Sequence, residues 1–115
     1  MNSRIETLVN KYGNTTASDK IDLREIKIFL EIGYLRMSEH PALTELLARI
    51  ELPMLSFVFS NSISSYWPLL GIQWLADKNK PINFAIAEMI RNTLTLPWAT
   101  QQYRHSALKL INKKC

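Results

Sequence analysis

The chain has 115 residues, 47% of them hydrophobic and 21% charged, with a formal net charge of +4. That length suits one domain with one core, and that balance excludes a charge-rich, aromatic-poor disordered chain. Three glycines are too few for many strands joined by tight turns, which consume residues able to adopt positive φ, so an all-α fold is expected.

A first helix is predicted from an Asn2 or Ser3 cap to Tyr12, because Ile5, Leu8, Val9 and Tyr12 fall at i, i+3, i+4 and i+7; Gly13 then stops it. The polar stretch 14–18 reads as a loop. Asp22-Leu-Arg-Glu25 has the capping-box spacing and opens a second helix. Leu23, Ile26, Leu30, Tyr34 and Met37 share one face of it, and Ile28, Phe29, Ile32 and Leu35 widen the apolar surface. Gly33 inside that pattern costs about 1 kcal/mol relative to alanine, so it implies a close neighbour, a bend or an end.

A third helix is predicted to open at Pro41, capped by Ser38 or His40, with Leu43, Leu46, Leu47 and Ile50 on one face. Pro53, Pro68, Pro81 and Pro97 each stand ahead of an apolar segment, where fixed φ and a missing N–H suit a first helical turn, and each is read as starting a new short helix. The run Met54–Phe59 has the β-branched and aromatic content of a strand, but a lone strand would lack a partner, so it too is read as helix. Leu69, Leu70, Ile72, Trp74 and Leu75, then Ile82, Phe84, Ile86, Met89 and Ile90, mark buried helices. The last helix, from Pro97, puts Tyr103, Ala107, Leu110 and Ile111 on one face and His105, Lys109 and Lys113 in a stripe on another. No motif recurs between the prolines, so this is no repeat array. The expectation is one domain over residues 1–115, a compact bundle of about six or seven short helices.

No nucleophile elbow, glycine-rich phosphate loop or dinucleotide fingerprint occurs. His40, His105 and Cys115 have no metal-ligand spacing. Neither an enzyme nor a cofactor or metal is therefore expected. The most apolar window, Leu52 to Ala76, is interrupted by serines, Asn61 and Pro68, so no membrane span is expected. A lone cysteine and an N-terminus without an apolar signal region point to a reducing, cytoplasmic location.

Function is therefore expected in binding. Through Glu51 seven basic residues face eight acidic ones, net −1; beyond it seven face two, net +5. Arg104, His105, Lys109, Lys113 and Lys114 could neutralise phosphates of a nucleic acid, although cations in a last turn also complement the helix dipole. Asp22, Glu25, Glu39 and Glu45, with Asp19, Glu31 and Glu51, could form an acidic face across the first three helices suited to the basic groove of a nuclease, diluted by interleaved Lys and Arg. Trp67 and Trp98 abut prolines at helix joints and are candidate anchors for a protein partner, whereas Trp74 reads as core.

In its size, its lack of any catalytic motif and its two-signed surface, the whole chain resembles the small all-α immunity proteins of bacterial toxin and contact-dependent inhibition systems. That resemblance is architectural and transfers no functional residue. It implies an intracellular inhibitor that binds a cognate toxin or enzyme; the other reading is a small nucleic-acid-binding regulator using the basic last helix.

Overall fold

Apolar side chains three and four residues apart make helices wherever a face can be buried, and burial here overrides several local signals. The computed structural model describes Arg24 and residues 27–39 and 41–114, without the side chains of 41–44 and 114. Among the described residues there are six helices and no strand: α1 (Ile28–Ile32), α2 (Tyr34–Met37), α3 (Pro41–Asn61), α4 (Tyr66–Lys78), α5 (Phe84–Thr93) and α6 (Gln101–Lys114). The predicted first helix, the loop after it and the Asp22–Glu25 capping box, Arg24 apart, lie outside them, as does His40.

The second predicted helix is divided. Gly33 has φ 97° and ψ 147°, a region open essentially to glycine alone, and the chain turns there between α1 and α2. A Cβ added to Gly33 would meet nothing within 4 Å, so backbone conformation and not crowding demands glycine. Phe29, Leu30 and Met37, on either side of the break, are all buried. Ser38 closes α2, its hydroxyl donating to the Leu35 carbonyl (3.1 Å), and does not cap the next helix.

Pro53 does not start a helix: α3 runs through it for 21 residues. Proline in a helix interior costs about 3 kcal/mol, because its ring crowds the preceding turn and it has no N–H to donate. Leu46, Leu47, Ile50, Met54, Leu55, Val58 and Phe59 are buried on both sides of it, and each is worth about 1.5–3 kcal/mol. That sum outweighs one proline, and it also makes Met54–Phe59 helical.

Pro41 opens α3 as expected, whereas Pro68, Pro81 and Pro97 lie close to helix starts but offset from them. α4 begins two residues before Pro68, which occupies its first turn. α5 begins three residues after Pro81, capped by Asn83, whose side chain accepts from the Ile86 N–H (2.8 Å). α6 begins four residues after Pro97, where the Thr100 hydroxyl accepts from the Tyr103 N–H (3.1 Å).

α3 packs on α4 and α5, while α4 also meets α1, α2 and α6, so α3 and α4 are the central pair. They approach closely at Gly71, where a Cβ would stand 3.0 Å from the Phe59 ring. The radius of gyration, 14.0 Å, is that of one domain of this length. Trp74 is core, 1% exposed, as its sequence context suggests. At the other end the buried Tyr103 hydroxyl meets the buried Thr93 hydroxyl, which itself donates to the Ile90 carbonyl and ties α5 to α6.

Two outcomes follow from this geometry. Gly33→Ala should lose about 1–3 kcal/mol in urea unfolding, since the strain of positive φ is not relieved by space around the side chain. Burial pushes the Tyr103 phenol from 10.0 up to about 12, with the Thr93 hydroxyl pulling the other way. The unfolded chain therefore loses this proton first. The associated stability is whole below pH 10 and falls by about 2–3 kcal/mol as pH rises to 12. Tyr103→Phe should remove that slope from unfolding midpoints measured across the same range.

Candidate binding surfaces

The acids predicted to share one face are put to different uses. Glu39 and Glu45 are exposed, and Asp22 and Glu25 lie outside the described residues. Glu31 accepts from the Tyr66 hydroxyl. Glu51 turns inward, accepting from the Trp74 indole N–H (3.2 Å) and pairing with the Lys78 ammonium (2.5 Å). With its side chain only 15% exposed, Glu51 is an internal tie between α3 and α4. Beside it, Tyr34, Leu47, Ala48, Lys78 and Lys80 line a cavity of about 510 Å³. The sequence groups Glu51 with the surface acids, and only its partners across the α3–α4 packing draw it inward.

The corner between α3 and α4 brings together side chains distant in sequence. Asn61 and Ser62 donate to the carbonyls of Phe57 and Val58 (3.2 and 2.6 Å), closing the end of α3. Ile63, in the connection, is 95% exposed. Tyr66, also exposed, stands edge-on to the half-buried Trp67 at 5.1 Å between ring centroids. The Lys27 ammonium lies 4.6 Å from the Trp67 ring centroid and 6.0 Å from that of Phe57. The Tyr66 phenol is raised above its ordinary pKa by its bond to Glu31, then by desolvation and by the Glu31 charge. Lys27 and Glu31 thus each contact one of the two aromatic rings that open α4, after the connection that carries the exposed Ile63.

Trp98 is half-buried in the α5–α6 connection, edge-on to Tyr103 at 5.0 Å. Both tryptophans singled out in the sequence pack against the core; Trp67 differs in meeting the exposed Tyr66 and the Lys27 ammonium.

The predicted basic stripe exists on α6. Arg104, His105, Lys109 and Lys113 are exposed, and the helix carries no acid. The Lys114 side chain lies outside the described residues. Arg104 is partly spent on the Ala99 carbonyl (2.8 Å), fastening the start of α6. Lys109 and Lys113 open onto a cleft of about 330 Å³ between α4 and α6, whose far wall carries Gln73, Ala76 and Asn79.

Among the described residues no three His, Cys, Asp or Glu side chains are grouped to hold a metal ion, and no helix is long and apolar enough to cross a membrane.

Glu51→Ala should lower stability by about 1–3 kcal/mol, because it leaves the indole N–H and the partly buried ammonium without their carboxylate. Lys78→Met should cost a similar amount in the same urea titration, since it keeps the indole's acceptor but leaves that carboxylate without its cation. Compared with protein-family models, with curated proteins and with solved structures, the chain matches none.

Proposed function

We propose that this is a non-catalytic binding module that docks onto another protein through its α3–α4 corner, an intracellular inhibitor of the immunity type that masks the active surface of a toxin or enzyme. The observation that carries this reading is Ile63, 95% exposed in the connection three residues before Tyr66, whose ring stands edge-on to Trp67. Burial of one isoleucine in a partner's pocket is worth about 1.5–3 kcal/mol. The neighbouring rings are already oriented by Glu31 and Lys27, so little side-chain freedom is lost on docking. Tyr and Trp are the residue types that dominate the energetic centres of interfaces.

The test is affinity capture of partners from the native host, with nuclease treatment, comparing wild type with Ile63→Asp and with Lys109→Glu/Lys113→Glu. The expected result is a stoichiometric protein that survives nuclease, is lost with Ile63→Asp, is kept by the lysine variant, and whose purified activity is suppressed at one equivalent. Retention that vanishes with nuclease and with the lysine variant would overturn this reading in favour of a nucleic-acid-binding regulator acting through α6.

A further inference from the structure

Two lysines one helical turn apart repel each other by a few tenths of a kcal/mol, and Lys109 and Lys113 face a cleft as well as bulk solvent. Its floor is the buried pair Ile72 and Leu110, one from each helix. Ser106 stands before Lys109 on the α6 wall, and Gln73 and Asn79 stand on the α4 wall. Between them Ala76 presents only a methyl group, which leaves the cleft open where a longer side chain would fill it.

No carboxylate lines this cleft. Asp77, the acid nearest in sequence on α4, accepts from the Gln73 amide (2.9 Å), and Glu51 is taken by Trp74 and Lys78. The lining therefore carries two positive charges together with the Ser106 hydroxyl, while the Gln73 amide already donates to Asp77. Such a set suits a compact, highly charged acceptor with several oxygens. The lining also has no aromatic ring on which a base could stack, so any nucleotide would be held by its phosphate and not by its base.

We propose that the α4–α6 cleft is a phosphate-binding site, in which a phosphate group bridges the Lys109 and Lys113 ammonium groups and takes a further hydrogen bond from Ser106. The site is separate from the α3–α4 corner, and its failure would leave the protein-partner reading untouched.

The test is a two-dimensional NMR titration of the full chain at low ionic strength, with inorganic pyrophosphate in one arm and a short single-stranded oligonucleotide in the other. Amide shifts should concentrate at Gln73, Ala76, Ser106 and Lys109. Lys109→Gln/Lys113→Gln should weaken binding by about tenfold or more, and the salt dependence should fall by about one unit of slope per lysine removed. Ala76→Leu keeps both lysines but fills the cleft, and it too should abolish the localised shifts. If the oligonucleotide binds more tightly than pyrophosphate through these residues, the phosphate belongs to a polynucleotide; the reverse order assigns it to a small phosphate ester. Shifts spread over all exposed lysines, binding unchanged by Ala76→Leu, or no binding at millimolar pyrophosphate would overturn the proposal.

Discussion

A buried indole N–H must be given an acceptor, and in this protein that requirement organises the centre of the fold. Trp74 is almost wholly enclosed, with Tyr34 of α2 edge-on to it at 5.3 Å. Its N–H draws the Glu51 carboxylate inward from α3, and a carboxylate removed from water needs a cation. Lys78 supplies it from the turn of α4 immediately after Trp74. One large aromatic residue thus dictates a carboxylate on a second helix, a lysine on its own, and the placement of a third helix against its face. Gly71, one turn before Trp74, lets α4 lie close enough to α3 for the tie to form.

Much of this helical architecture was legible, because apolar spacing is a local property of the chain. The helices after Pro81 and Pro97 turn Ile86, Ile90, Tyr103, Ala107, Leu110 and Ile111 inward as expected, and Trp74 is core, but Phe84, expected in the core, is 73% exposed in the first turn of α5. Where expectation and structure part, a nonlocal term decides. Pro53 is a helix breaker in isolation, but the buried residues on either side of it belong to one surface that only a continuous α3 can present. Gly33 announced a discontinuity without saying which kind, since φ at one residue depends on where the two flanking segments find their burial. Glu51 could not be told from a solvated acid because its partners lie 23 and 27 residues away.

The candidate surfaces were legible by composition but not by assembly. The cations of α6 were visible as a stripe, yet the opposing wall of Gln73, Ala76 and Asn79 is unremarkable in sequence and acquires meaning only through the α4–α6 packing. Trp67 and Trp98 look alike beside their prolines. Both pack against the core, and only their neighbours separate them: Trp98 meets Tyr103 at the α5–α6 joint, and Trp67 meets Tyr66 and Lys27 at the α3–α4 corner.

The break at Gly33 leaves α1 with five residues and α2 with four. Isolated helices need about 12–15 residues to be even marginally stable, so these two persist only while docked on α4. They form a cooperative unit that can open before the α3–α4 pair does. Yet α1 carries Glu31, and Lys27 lies at its start, the two groups that orient Tyr66 and Trp67. The order of the aromatic corner is thereby thermodynamically linked to the least self-sufficient part of the described chain. A partner that grips those rings would also hold α1 in place, so recognition at the corner and local folding of α1 draw on the same free energy.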